Sequence, residues 1–195
     1  MSAHTPFLPR RFLFSDRQRC PDWRGALTQA GSDCGLILRD YNLASRAVLA
    51  HEMADFCRDT RRVFFIAGDR KLAHRHAAGL HCPSHLLARP SHHIAASSGA
   101  RAIRPTSAAV HNERELRQAA RAGAQLVFIS PVFATQSHAG EEGLGICRAR
   151  ALARQARDFG LLPFALGGLN ARSLRKLNGT SPVFYGFGAI KALAR

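Results

Sequence analysis

Two short segments near the C-terminus combine residues that suit the binding of an anion. Gly167–Gly168 and Gly188–Ala189 each lie where an apolar run gives way to a more polar stretch. Glycine lets a phosphate oxygen approach the backbone, and a helix that begins after such a turn offers unpaired N–H groups. We therefore expect both turns to bind a phosphate. A purely structural role in tight strand–helix turns is the alternative.

A third segment, residues 130–138, brings hydroxyl groups and a basic side chain together. It contains Thr135, Ser137 and His138, and two glycines follow it. Hydroxyls and a cation on a glycine-flanked loop suit the gripping of an anion. An ordinary polar surface loop is the alternative interpretation.

Histidines cluster in the middle of the chain, which raises the question of a metal site. Zinc needs several such side chains to converge with a carboxylate or thiolate. His81 and His85 stand four residues apart with Cys82 between them, but Pro83 and Pro90 interrupt any helix that would align them. We therefore do not expect a zinc site here.

The charge of the chain is strongly positive. There are 28 Lys and Arg against 13 Asp and Glu, a formal net charge of +15. Arginine is suited to phosphate contacts, so a nucleic acid has to be considered. The arginines are nevertheless spread from Arg10 to Arg195 without a basic block or a nucleic-acid motif. A coding bias toward arginine explains the excess better, and we do not expect nucleic acid as the partner.

Length and composition indicate one soluble domain spanning residues 1–195, with residues 1–11 as a loose N-terminal tail. No apolar run approaches the roughly 18 residues that a membrane span needs. Pro9, Arg10 and Arg11 interrupt any secretory leader. The five scattered cysteines are typical of reduced thiols, which favours the cytoplasm. A homodimer stays open.

The elements that must position these residues are short apolar runs alternating with amphipathic stretches. Each run is short enough to be a strand covered on both faces. The predicted strands are Phe12–Phe14, Cys34–Leu38, Val63–Ala67, Gly79–Cys82, Ser107–Val110, Leu126–Ile129, Pro163–Leu166 and Val183–Gly186.

Capping residues mark three of the helices between these strands. Asn112 precedes a helix that ends at Gly123, residues 147–159 form a second, and Asn170 begins a third. Eight strands alternating with helices predict an α/β fold, a parallel (β/α)₈ barrel. An open doubly wound sheet is the alternative. Residues 87–106 fit the pattern least and read as a ragged loop with one short helix.

Several segments resemble the thiamine-phosphate synthase family, whose superfamily includes a thiazole tautomerase. The resemblance runs from Phe12 to Leu193. Its motifs are FLFSDR, GLILRD, GAQLVFISPVFATQSHAG, PFALGGLNARSLRKLNGT and VFYGFGAIKAL. The resemblance implies the barrel fold, a role in thiamine biosynthesis, and a reaction that joins a pyrimidine-methyl diphosphate to a thiazole phosphate with Mg²⁺.

Matched position by position, the resemblance assigns roles to individual residues. Arg39 and His138 would face the diphosphate, with Thr135 and Ser137 as part of the same grip. Asp69 would bind Mg²⁺, while the second metal carboxylate of the family is missing. The four residues of the two turns, Gly167, Gly168, Gly188 and Ala189, would hold the thiazole phosphate.

The resemblance leaves three functions open. The first is the synthase reaction, with a phosphorylated small molecule as the partner. The second is a tautomerase-like enzyme that uses His111 or His138 as acid and base, since histidine titrates near neutral pH. In this chain Pro131 stands where the tautomerase has its catalytic histidine. The third is a catalytically silent protein that binds a phosphorylated ligand.

Overall fold

The computed structural model describes residues 8–87, 105–134 and 143–190 of the chain. These residues form eight parallel strands that close into a barrel in sequence order, so that β1 pairs with both β2 and β8. The strands are β1 (Arg11–Phe14), β2 (Cys34–Leu38), β3 (Phe64–Ala67), β4 (Gly79–Cys82), β5 (Thr106–Val110), β6 (Leu126–Ile129), β7 (Leu162–Leu166) and β8 (Gly186–Ala189). The predicted (β/α)₈ barrel is confirmed, and the open sheet is excluded.

Helices follow the first seven strands in the described part of the chain. They are α1 (Trp23–Gln29), α2 (Arg46–Asp59), α3 (Arg70–Arg75), α4 (Ser84–Leu87), α5 (Glu113–Arg121), α6 (Gly145–Asp158) and α7 (Ala171–Asn178). The predicted caps are present, because Asn112 accepts a hydrogen bond from the Glu115 backbone and Asn170 accepts one from the Ser173 backbone. No helix among these is long and apolar enough to cross a membrane.

Seven strands lie within one residue of the predicted bounds, but the last one does not. The prediction of a strand at Val183–Gly186 is wrong, since β8 begins three residues later. The cause is the side chain of Asn178. Its Oδ1 accepts hydrogen bonds from the backbone N–H of Val183 and Phe184, and its Nδ2 donates to the Phe184 carbonyl. The side-chain amide of Asn178 therefore forms hydrogen bonds with backbone groups that would otherwise bond to a neighbouring strand.

Aromatic rings fill the interior of the barrel. Phe12 makes edge-to-face contacts with three other phenylalanines, at centroid distances of 5.4 to 5.6 Å. Glycines on the two neighbouring strands, β2 and β8, make the room for these rings. A Cβ at Gly35 would collide with the Phe12 ring, and one at Gly188 would collide with the Phe14 ring. The interior between the described strands is thus a packed core.

The N-terminal segment is ordered further toward its start than predicted. Arg11 belongs to β1 and forms an ion pair with Asp33, and Pro9 is buried. The guanidinium of Arg10 lies over the Tyr185 ring, 5.2 Å from its centroid. Residues 1–7 lie outside the described residues, as do residues 88–104, which form most of the predicted ragged loop.

Candidate functional site

The carboxyl ends of the strands gather polar residues at one mouth of the barrel. Arg39, Asp69 and Ser130 each lie two positions beyond a strand residue that belongs to the interior cluster. Because side chains alternate along a strand, this spacing directs Arg39 and Ser130 toward the barrel axis, whereas Gly68, with a φ of 71°, ends the alternation before Asp69. His111 follows β5 at the same mouth. The fold therefore brings Arg39, Asp69 and His111, which were candidate residues in the sequence, to the same mouth of the barrel.

Arg39 is held in place by the loop that follows β1. Its Nη2 donates to Oδ2 of Asp16 at 3.0 Å, and its backbone N–H donates to Oγ of Ser15 at 2.8 Å. The Ser15 hydroxyl in turn donates to Asp40. The side chain of Arg39 remains about one-third exposed. A guanidinium fixed in this way can present its remaining N–H groups to an anion at the mouth.

Asp69 lies two residues beyond β3 and already has partners within the protein. Its Oδ1 accepts the backbone N–H of Leu72 at 2.8 Å and caps α3. Its Oδ2 lies 3.9 Å from Nη1 of Arg46. Among the described residues, no three His, Cys, Asp or Glu side chains converge on one point. Mg²⁺ takes hard oxygen ligands, but one oxygen of Asp69 is used in capping α3 and the other faces a guanidinium, so this carboxylate does not fit the ion.

His111 is oriented by the neighbouring strand. Its Nδ1 lies 2.6 Å from the carbonyl oxygen of Ser130, and its backbone N–H donates to Glu115 Oε2 at 2.7 Å. A carbonyl can only accept, so Nδ1 is the donor in this contact. In the neutral ring, Nε2 is then left as the acceptor. This arrangement suits an acid–base role at the mouth.

His81 forms part of the floor beneath the mouth. It is fully buried, its Nδ1 lies 2.9 Å from Ser107 Oγ, and its ring packs edge-on against Phe14 and Phe128. Burial lowers the pKa of His81 to about 3, and the charge of Arg39 adds to this effect. His81 is therefore neutral at physiological pH. His85 lies exposed on α4, so the two histidines do not converge.

The turn Gly167–Gly168 follows β7 as predicted. Both residues have positive φ, 101° and 65°, which favours glycine. The turn also packs closely against the loop that follows β6, where a Cβ at Gly167 would lie 3.0 Å from Pro131 Cα. The backbone conformation and the close packing therefore explain why both residues are glycine. Their role in binding a phosphate stays a prediction.

The second predicted turn has a different setting. Gly188 lies within β8, and Ala189 is the last residue of that strand. Gly188 is needed for the Phe14 ring, as described above, so its presence has a structural reason. Ala189 reaches the mouth of the barrel as a strand end, and its predicted role toward a phosphate is not decided by this placement.

Thr135, Ser137 and His138 lie outside the described residues. Their predicted roles therefore remain predictions. The preceding residue, Ala134, is close to the glycine turn, since its carbonyl oxygen would be 3.3 Å from a Cβ at Gly168. The described part of this loop thus leads toward the turn after β7.

Arg46 and Tyr41 belong to the mouth but were not selected from the sequence. The Tyr41 ring lies against Gly68, and the Arg46 guanidinium lies 5.7 Å from the ring centroid. One signal could have found Arg46. A cation at the first position of a helix opposes the helix dipole, so an arginine there calls for another reason, although α3 also begins with an arginine, Arg70. Tyr41 carries no comparable signal.

Comparison with solved structures shows the same fold. A thiamine phosphate pyrophosphorylase from Pyrococcus furiosus is 18% identical, over 93% of this chain and 85% of that chain, with a TM-score of 0.69. One from Bacteroides thetaiotaomicron is 16% identical, over 93% and 82%, with a TM-score of 0.53. A citrate synthase is 10% identical, over 93% and 85%, with a TM-score of 0.64. Because proteins of different activity share this architecture, these structural similarities support the fold but not a particular function.

Sequence comparison is more specific about the family. No curated protein matches the chain significantly. The family model described as thiamine monophosphate synthase, TMP-TENI, matches residues 13–181. This range runs from β1 through α7 and contains Arg39, Asp69, His111 and the Gly167–Gly168 turn. The chain belongs to the thiamine monophosphate synthase (TMP-TENI) family.

Proposed function

We propose that this protein binds a phosphorylated thiazole and joins it to a pyrimidine-methyl diphosphate, giving thiamine phosphate and diphosphate. One observation carries the proposal. The two places suited to phosphate groups lie on opposite sides of the barrel mouth, with Arg39 and Arg46 near β2 and β3, and the Gly167–Gly168 turn after β7. Two phosphorylated substrates held there would place their rings over the centre of the mouth.

The floor beneath the mouth, between these two places, is apolar and uncharged. Phe14 and Phe128 pack against each other, with centroids 5.0 Å apart, and neutral His81 contacts both. All three side chains are buried beneath the mouth, so they would support the substrate rings from below rather than contact them directly. Neutral His81 would add no positive charge beneath the place where a cation forms.

The reaction balances without a further reactant. The bond between the pyrimidine methylene carbon and the diphosphate oxygen breaks, and diphosphate leaves with the electron pair. The lone pair of the thiazole nitrogen then forms the new carbon–nitrogen bond. Arg39 would stabilise the negative charge that develops on the leaving group. Thr135, Ser137 and His138 are proposed to contribute to the same grip.

The test is a direct assay of the purified chain with both substrates, followed by chromatography of thiamine phosphate. We expect product to form, and to form more slowly in Arg39→Gln than in Arg117→Gln. Arg117 is the matched control because it is exposed on α5 and paired with Glu113. Product formation that is equal in both variants would contradict the role of Arg39.

A tautomerase-like reaction is the second candidate, favoured by the anchored ring of His111. Its Nε2 could move a proton between two positions of a bound thiazole phosphate, while Pro131 itself cannot transfer protons. Incubation with the thiazole phosphate alone separates the two candidates. Exchange of ring-adjacent protons with deuterated water would favour the tautomerase, and no exchange together with product formation in the full assay would favour the synthase. Tight binding without either reaction would indicate a silent binding protein.

A further inference from the structure

Arg46 occupies an unusual position at the mouth of the barrel. It is the first residue of α2, yet its side chain reaches back to the end of β3, where Nη2 donates to the Ala67 carbonyl at 2.6 Å. Only 13% of the side chain is exposed. The first turn of α2 holds no acidic residue, and the N-cap Ser45 makes no side-chain hydrogen bond to the helix. Helix stability therefore does not explain an arginine at this position.

The partner of Arg46 is the carboxylate to which the family resemblance assigns a metal. Nη1 of Arg46 lies 3.9 Å from Asp69 Oδ2, while Asp69 Oδ1 is engaged in capping α3. A guanidinium thus stands beside the carboxylate, at the place where a divalent cation would need to approach. Any Mg²⁺ bound to Asp69 would be repelled by this fixed positive charge at short range.

Arg46 has hydrogen-bonding capacity left after these contacts. A guanidinium has five N–H donors, and the Ala67 carbonyl accepts one of them. The Nε atom is buried and has no hydrogen-bond partner in the described part of the chain. Arginine is suited to paired contacts with phosphate oxygens. The donors and the charge are therefore of the kind that a diphosphate requires.

Arg39 is close to the same point. Burial raises the pKa of the Tyr41 phenol, while the charges of both Arg39 and Arg46 oppose that rise. Both guanidinium groups thus act on the same side chain, and that of Arg46 lies 5.7 Å from the Tyr41 ring centroid. Asp16 holds the first of them and Asp69 faces the second.

We propose that Arg46 replaces the divalent cation of this site, so that Arg46 and Arg39 bind the diphosphate of the substrate without Mg²⁺. This inference rests on the proposed function for the identity of the anion. It predicts that Arg46 contacts the diphosphate and that affinity for this group is independent of metal.

The test is calorimetric titration of the full chain with inorganic pyrophosphate, once with Mg²⁺ and once with EDTA. We expect the same affinity in both, within about twofold, and a loss of about tenfold or more in Arg46→Gln. Arg117→Gln is the matched control and should bind as the unchanged protein does. Arg46→Lys keeps the charge but lacks the paired donors. Its affinity for pyrophosphate should therefore lie between that of Arg46→Gln and that of the unchanged protein.

Three outcomes would overturn the inference: binding that requires Mg²⁺, unchanged affinity in Arg46→Gln, and no binding of pyrophosphate in either buffer. Because Arg46 is largely buried, the fold of each variant is checked by its affinity for the thiazole phosphate, which would bind on the opposite side of the mouth. If the unchanged protein does not bind the thiazole phosphate, the proposed function is contradicted instead. The two failures are therefore distinguishable.

Discussion

The Nδ1 atom of His111 lies 2.6 Å from the carbonyl oxygen of Ser130, which ties the end of β5 to the end of β6. This contact fixes which ring nitrogen carries the proton in the neutral histidine. The free Nε2 is then the atom that could take part in chemistry.

An amide replacement of His111 separates anchoring from proton transfer. His111→Asn can still donate to the Ser130 carbonyl but has no counterpart of Nε2. If Nε2 acts as acid or base, turnover should fall about 100-fold or more in His111→Asn, with thiazole phosphate binding retained. Steady-state kinetics and binding measured on the same preparation test this. Turnover within a few-fold of the unchanged protein would restrict His111 to a structural role.

His81 should make the stability of the protein depend on pH. Its folded pKa of about 3 lies below the ordinary 6.5, so the unfolded chain takes up the proton first as the pH falls. The stability that the neutral ring contributes is complete above pH 6.5 and is lost between pH 6.5 and 3, at about 1.4 kcal/mol per pH unit. Urea unfolding at about pH 7 and about pH 5 should show a smaller difference in His81→Leu. His85→Leu, an exposed control, should keep the original difference.

Asn170→Asp should weaken phosphate binding at the turn after β7 without unfolding α7. Aspartate caps a helix about as well as asparagine, so the hydrogen bond from the Ser173 backbone survives. The new negative charge would repel a phosphate at Gly167–Gly168, and we expect affinity for the thiazole phosphate to fall about tenfold. Asn112→Asp makes the same exchange at the cap of α5 and serves as the control. Equal affinity in both variants would contradict a phosphate site at this turn.

Gly35 and Phe12 should be coupled in stability. A methyl group at Gly35 has to displace the Phe12 ring from the centre of the barrel, so Gly35→Ala is expected to cost about 1–3 kcal/mol. Replacing Phe12 by leucine removes the colliding ring edge. The double variant should therefore be more stable than the sum of the single changes predicts, as measured by denaturant unfolding. Additive changes would mean that the ring is not the obstacle.

The fold could be predicted from the sequence because each buried strand is a short apolar run bounded by turn residues. β8 is the exception for a physical reason. Gly186 and Gly188 have low strand propensity, whereas Val183 and Phe184 look like a strand but bond to Asn178. Sequence patterns identify strands by their side chains. They therefore miss a strand such as β8, in which packing requires glycine.

The candidate site was only partly accessible to sequence reasoning. Arg39 and His111 follow strands directly, so the barrel topology alone brings them to the mouth. Arg46 comes from a helix start and reaches the mouth through its long side chain, which spacing along a strand does not reveal. Asp69 was predicted as a metal ligand. The guanidinium of Arg46, 3.9 Å from that carboxylate, makes the binding of a metal ion there unfavourable.

The pairing of β1 with β8 has a consequence for how the protein is made. During synthesis, β1 leaves the ribosome first and has β2 as its only neighbour until Gly186–Ala189 has been added. Until then both ends of the growing sheet expose unpaired backbone groups, which are templates for wrong association. The ring can close only once β8 has been made, so folding depends on contacts of very long sequence separation. Protection of the nascent chain by a chaperone would matter most in this interval.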